Sequence, residues 1–315
     1  MTVRIAAVQA APVLLDRDAT IEKARGLIRQ AAAGGANLVV FPEAFVPGYP
    51  LWVWAVPPKE NRLLTRLYAK LVEQAVAVPG PALDPLAEAA REAGVYVAMG
   101  INESNDEASG ASLYNTLVYL GPDGRLLGKH RKLVPTAAER LLWAGGDGST
   151  LNVYDTPAGR IGGLICWENY MPLARYALYC AGVQIFLAPT WDEGEPWLST
   201  LRHIGKEGRC YVVGCSIAMH KDHLPDDDAF RQYYASAEGW FKKGDTAIVD
   251  PDGRFIAGPV RDKEEIVYAD ASEEAVRGSK WKLDVAGHYA RPDVFRLIVN
   301  RTPRPLVETG TDGEH

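Results

Sequence analysis

Short, unbroken apolar runs recur along this chain, and each gives way to a stretch with helical spacing or to a tight turn. Residues 3–7, 37–41, 95–101, 161–165, 185–188 and 211–216 read as strands, and 19–33, 63–77, 83–93, 172–181 and 197–210 read as helices. Strand alternating with helix in this way predicts an α/β fold, with helices covering the apolar faces of the sheet. Local signals agree. Thr20 stands near the start of the first helix and Gly34-Gly35 follow its end. Asp84 is the expected cap of the third helix, Pro85 lies in its first turn and Gly94 just past its end.

The tetrapeptide Pro-Asp-Gly-Arg occurs twice, at 122–125 and 251–254. Each copy separates two extended segments, 113–120 from 126–132 and 247–250 from 254–257, and predicts a hairpin turn. Taken alone, the doubling fits two ordinary turns as well as it fits two similar αβ halves packed sheet against sheet.

A chain of 315 residues, 47% hydrophobic, suffices for one large α/β domain or two smaller ones with a proper core. A net charge of −6 argues against nucleic acid or an anionic membrane as partner, since either needs a basic face. No run approaches the roughly 20 apolar residues of a membrane span. The first residues read as a strand interrupted by Gln9 rather than as a signal peptide, so a soluble cytoplasmic protein is expected. Cys166, Cys180, Cys210 and Cys215 form no CxxC pair, which disfavours a disulfide framework and a zinc site alike. His220 and His223 make an HxxH, but inside an acidic loop that reads as surface. From Ser272 the pattern weakens into an extended tail rich in Arg, Pro and Gly.

Three groups with chemistry in them fall at predicted strand ends: Glu43 after 37–41, Lys132 at the end of 126–132, and Cys166 after 161–165. Ligands of open α/β sheets sit outside the carboxyl ends of strands, so these three are expected to converge. Together they make a coherent set. A thiol of pKa ~8.5 is mostly protonated at neutral pH, and a neighbouring carboxylate can take its proton during attack. A lysine ammonium offsets the like-charge repulsion between carboxylate and thiolate and stabilises negative charge on a substrate. The helix opening near Pro172 would add N–H groups and positive potential near the thiol. Each residue also has a plainer reading: Glu43 as a turn residue, Lys132 as part of a solvated basic cluster, Cys166 as a packed thiol. His130 offers a rival Cys-His pairing, and an extended segment would put His130 and Lys132 on one face. Glu139 is a second acid able to place a water. Tyr49, Trp52, Trp54 and Trp191 are either core or the walls of an apolar pocket.

At these segments the chain resembles the nitrilase family of the carbon–nitrogen hydrolase superfamily. The resemblance is carried by FPEAFVPGYPLWVW (41–54), HRKLVPTAAERLLWAGGDGSTL (130–151), the stretch from GGLICWENY to APTWD (162–192) and GHYARPDVF (287–295). It implies a four-layer α-β-β-α sandwich, a catalytic Glu43, Lys132 and Cys166 triad, and a supporting role for Glu139. It also implies a hydrolase domain over 1–270 and a C-terminal extension, 271–315, that docks on a neighbouring subunit of a homo-oligomer, a dimer or larger. No cofactor or metal is expected. Trp167 and Glu168 after the nucleophile resemble nitrilases proper, where amidase relatives carry an aspartate. The expected activity is hydrolysis of an organic nitrile to the acid and ammonia, with Tyr49, Trp52, Trp167, Thr190 and Trp191 as substrate-binding residues. The alternatives are an amidase or carbamoylase, or a cyanide-degrading enzyme, with the same triad. A binding scaffold would have lost a triad member, and a thiol-redox protein lacks a resolving cysteine beside Cys166.

Overall fold

The computed structural model describes residues 2–106 and 109–305. Its strands in chain order are β1 (Thr2–Gln9), β2 (Leu38–Val40), β3 (Tyr96–Ser104), β4 (Leu113–Leu120), β5 (Leu126–Arg131), β6 (Tyr154–Thr156), β7 (Gly159–Gly163), β8 (Ile185–Thr190), β9 (Tyr211–Ser216), β10 (Ala218–His220), β11 (Trp240–Val249), β12 (Phe255–Arg261) and β13 (Glu265–Ser272). The helices are α1 (Arg17–Ala33), α2 (Trp52–Ala55), α3 (Asn61–Glu73), α4 (Asp84–Ala93), α5 (Pro172–Cys180), α6 (Glu195–Gly208), α7 (Asp228–Tyr233) and α8 (Glu273–Ser279).

Two sheets form. One runs β13-β1-β2-β3-β4-β5; the other runs β10-β11-β9-β8-β7-β6, with β12 paired to β11. In each, three parallel strands (β1, β2, β3 and β7, β8, β9) are linked through helices and followed by an antiparallel hairpin. The two Pro-Asp-Gly-Arg turns close the equivalent hairpins, β4–β5 and β11–β12. The doubling therefore belongs to two similar halves.

The layers follow from where the apolar side chains point. Ile5, Val40 and Leu117 from the first sheet meet Ile161, Leu187 and Val213 from the second in the central layer. α1 and α4 cover the outer face of the first sheet through Ile21, Ile28 and Leu86, and α5 and α6 cover the second through Leu178, Leu201 and Ile204. The result is the expected four-layer α-β-β-α sandwich. At one end a separate apolar cluster, built around Tyr49, Trp52, Leu67, Leu71 and Trp143, packs beside the strand ends.

Several boundaries differ from the sequence reading. α1 starts at Arg17 because Asp16 caps it, its carboxylate accepting from the Ala19 N–H. Asp84 lies inside the first turn of α4 rather than capping it. β7 stops at Gly163, and Leu164 and Ile165 continue as irregular backbone into the turn that Cys166 opens. The sequence reading placed no element over β13, and α8 lies where the pattern weakens. β13 is a half-exposed strand that runs through residue 270 and pairs along all of β1. Beyond α8 the described tail lies over this chain's own surface: Arg301 donates to the Leu151 carbonyl and the Arg304 N–H to Asp147. The remainder of the expected extension, 306–315, lies outside the described residues. Among the described residues no helix is long and apolar enough to cross a membrane.

Candidate active site

Glu43, Lys132 and Cys166 meet at the carboxyl ends of the two sheets. The Glu43 loop follows β2 and lies along β3, where Val46 and Ile101 form a parallel bridge. Gly100 of β3 makes that approach possible, because a Cβ there would overlap the Pro42 carbonyl oxygen. Lys132 is the first residue past β5, fixed through its own N–H to the Asn115 carbonyl (2.8 Å). Cys166 opens a single 3-10 turn, Cys166–Tyr170, with φ of 53°. That left-handed conformation is disfavoured for a residue with a Cβ and is held here by the surrounding bonds. Asn169 Nδ2 donates to the carbonyls of Leu164 (3.0 Å) and Cys166 (2.8 Å), tying the turn back on itself.

The side chains form one buried network. Lys132 is 0% exposed, and its Nζ donates to Glu43 Oε1 (2.8 Å) and Glu139 Oε2 (2.7 Å). Glu43 also accepts from Asn115 Nδ2 (2.7 Å) and the Trp191 N–H (2.7 Å). Glu139 accepts from the Thr136 N–H (2.7 Å) and the Tyr49 hydroxyl (2.7 Å). The Thr190 hydroxyl donates to Cys166 Sγ (3.2 Å) and accepts from the Asp192 N–H (2.8 Å).

The charges shift one another. Burial pushes the Cys166 thiol up to about 12, with the Glu43 carboxylate adding to the effect and Lys132 opposing it. Burial also raises Glu43, against the pull of Lys132, and so strengthens it as a base. Burial works to lower Lys132, but Glu43, Cys166 and Glu139 outweigh it and hold the ammonium firmly charged. The resting cluster thus pairs a protonated thiol with a carboxylate of enhanced basicity and a fixed cation. Such a set is suited to nucleophilic attack with proton transfer to the carboxylate and charge stabilisation by the lysine.

The remaining candidates divide. Tyr49 is buried, its hydroxyl on Glu139 and its ring stacked on Trp191. Trp52 packs into the apolar cluster with Leu67 and Leu71. Trp167 is 51% exposed, its indole N–H donating to Asp192 (2.8 Å). Thr190 sits on the sulfur, and Trp191 binds Glu43 through its backbone. His130 does not pair with Cys166; its Nε2 faces Glu168 (3.1 Å) and its Nδ1 the Thr150 carbonyl (3.2 Å). Glu168 is turned away from solvent to meet it, so it shapes the turn from behind. The helix expected to aid the thiol, α5, begins six residues after it, and the 3-10 turn lies nearer. His220 and His223 pack their ring edges on Trp240. Asn115 escaped the sequence reading, although an Asn-Thr pair within the apolar run of β4 was a usable signal.

Residues 4–280 match the family model described as carbon-nitrogen hydrolase. The chain is 45% identical over 312 residues to an aliphatic nitrilase of Sinorhizobium fredii (strain HH103), covering 97% of this chain and 98% of that protein. It is 42% identical over 315 residues to Nitrilase 1 of Arabidopsis thaliana, covering 97% and 89%. Its fold is similar to the crystal structure of Saccharomyces cerevisiae Nit3, with a TM-score of 0.72 and 21% identity, covering 91% of this chain and 96% of that one.

Proposed function

The chain belongs to the carbon–nitrogen hydrolase family and is a nitrilase, and from that premise we propose how its buried cluster hydrolyses an organic nitrile to the carboxylic acid and ammonia. Glu43 takes the Cys166 proton as sulfur attacks the nitrile carbon, and the proton passes to nitrogen to give a thioimidate. Lys132 spends two of its three N–H donors on Glu43 and Glu139, and offers the third to the substrate nitrogen. A backbone N–H of the turn beside Trp167 assists it. Water, deprotonated by Glu43 and placed by Glu139, adds to the thioimidate carbon. The tetrahedral intermediate carries sulfur, hydroxyl and amino groups on one carbon. Loss of ammonia leaves a thioester, and a second water releases the acid and restores the thiol.

The observation that carries these assignments is the Lys132 ammonium bridging two carboxylates, 2.8 and 2.7 Å away, at 0% exposure. Truncating any member of a buried charged set leaves its partners uncompensated, and a purely structural site would have little use for three ionised groups around a thiol. Two carboxylates against one ammonium also disfavour a substrate with its own carboxylate close to the sulfur. Tyr49, Trp52, Trp167, Thr190 and Trp191 belong to this reading as the walls and the sulfur-side anchor of the substrate pocket.

The test is intact mass of enzyme quenched during turnover of a neutral nitrile, expected to show an acyl adduct at Cys166 that Cys166→Ala lacks. A panel of aromatic, arylaceto- and aliphatic nitriles with ammonia readout then defines the substrate. Nitrile turnover by folded Cys166→Ala would remove the nucleophile.

The same reading includes a homo-oligomer, with the hydrolase unit over 1–270 and the segment from 271 docking on a neighbour. Its support is the exposed apolar surface of Leu173, Phe295 and Ile298 on α5 and the tail. Light scattering on the purified chain checks it. Four free cysteines suit a reducing cytoplasm.

A further inference from the structure

We propose that His130 and Glu168 act as a positioning pair that holds Lys132 in register with Cys166, and so decides whether the tetrahedral intermediate leaves as acid or as amide. This rests on the nitrile-hydrolysing reading above. Lys132 and Cys166 come from different sheets, one after β5 and the other after β7. One carboxylate joins their backbones. Glu168 Oε1 accepts from the Leu133 N–H (2.6 Å), the residue after Lys132. Glu168 Oε2 accepts from the Ile165 N–H (2.7 Å), the residue before Cys166.

His130, two residues before Lys132, closes the clamp. Its Nε2 lies 3.2 and 3.1 Å from the two Glu168 oxygens, and its Nδ1 lies 3.2 Å from the Thr150 carbonyl. A carbonyl only accepts, so Nδ1 carries a proton. The Glu168 carboxylate raises the His130 pKa and so favours a second proton on Nε2, which faces both carboxylate oxygens. Both side chains are buried, and together they add no net charge to the cluster. Neither contacts the sulfur, so their action passes through the backbone on either side of the reacting groups.

The outcome of the reaction depends on that register. To lose ammonia, the C–N bond breaks, the electron pair leaves on nitrogen, and that nitrogen must first be protonated beside Lys132. To lose sulfur, the C–S bond breaks, the pair leaves on the thiolate, which regains its proton, and the amide is released. A Lys132 that drifts from Cys166 weakens the first route and spares the second. Misplacement of about 1 Å costs about a hundredfold in rate for a positioned group.

The experiment follows acid, amide and ammonia from one nitrile for wild type, Glu168→Gln and Glu168→Asp, with thermal unfolding alongside. Glu168→Asp keeps the charge opposite His130 but is one methylene too short to bridge both backbones, so it remains informative if Glu168→Gln fails to fold. The expected result is a kcat at least tenfold lower with KM within about threefold, and an amide share raised at least fivefold. A folded Glu168→Asp with slower turnover but the wild-type acid-to-amide ratio overturns the proposal and leaves the nitrilase reading intact. A wild type that releases no ammonia from any nitrile sinks both.

Discussion

Tyr49 lies flat on Trp191, the ring centroids 4.4 Å apart and the planes 5° from parallel. The pair is more than packing. The Tyr49 hydroxyl donates to Glu139, the Trp191 N–H donates to Glu43, and so the stack fixes both carboxylates that flank Lys132. Tyr49→Phe keeps the ring and removes one bond to a charged acceptor, which contributes about 1.5–3 kcal/mol. The expected result is kcat lower by roughly 10- to 100-fold, with stability reduced by no more than that bond contributes. Unchanged steady-state kinetics in this variant would mean that Glu139 needs no such anchor.

Gly100→Ala sets a methyl group against the Pro42 carbonyl and the Ala44 N–H, beneath the Glu43 loop. Overpacking of this kind costs about 1–3 kcal/mol. Urea unfolding should report that loss, and kcat should fall further than stability alone explains because Glu43 moves with the loop. Retention of full activity would show that the loop can rise without displacing the carboxylate.

The Cys166 thiol is held up at about 12 from 9.0, chiefly by burial. An acid whose folded pKa is raised leaves stability unchanged below the unfolded value. Stability then falls as pH climbs from 9.0 towards 12, because the unfolded thiol ionises first. The matching kinetic expectation is an iodoacetamide alkylation rate at Cys166 that still climbs at pH 10, read by peptide mass. A plateau near 8.5, as for a free thiol, would contradict the assigned environment.

His130 is also raised, but by its partner rather than by burial. Burial works to lower its pKa, but the Glu168 carboxylate outweighs burial and raises it above 6.5, with the Thr150 carbonyl as the other group facing the ring. A base with a raised folded pKa contributes stability that is complete below pH 6.5 and is lost as pH rises through the folded value. The difference in Tm between wild type and His130→Gln should therefore be largest at pH 6 and shrink on the alkaline side. A difference that grows with pH would reverse the charge assigned to the ring.

Cys166→Gly and Cys166→Ala should both be inactive, yet they should not be equally stable. At φ of 53° a Cβ carries a penalty of about 1–2 kcal/mol that glycine escapes. Glycine gives part of this back through its freer unfolded chain. Chemical denaturation should place Cys166→Gly ahead by about 1 kcal/mol. Equal midpoints would show that the turn is unstrained.

Much of this was legible in the residues. The apolar runs marked the parallel strands, because strands buried on both faces cannot hide their composition. β13 escaped because it is a half-exposed edge strand whose pairing with β1 is fixed by contacts far along the chain. Strand ends located Glu43, Lys132 and Cys166, and Glu139 stood out as a second acid seven residues past Lys132. The partners of those groups were harder to read. Parity could not separate His130 from Lys132, because β5 ends between them and the backbone then turns, sending one side chain to Glu168 and the other to Glu43. The Tyr49 hydroxyl is bonded to Glu139 and the Thr190 hydroxyl to Cys166. Those bonds join residues 90 and 24 positions apart, and no local pattern encodes them.

The pairing of β1 with β13 has a consequence for how the enzyme comes into being. Val3 finds its partner in Ala271, so β1 precedes β2 and β3 in the chain but is completed only when β13 has been made. Contacts of such long sequence separation form late, because a loop spanning nearly the whole molecule must close first. A nascent chain on the ribosome holds Glu43, Lys132 and Cys166 well before it holds β13. Its first sheet has an open edge until β13 arrives, so the site around Cys166 should mature only once that strand has been made.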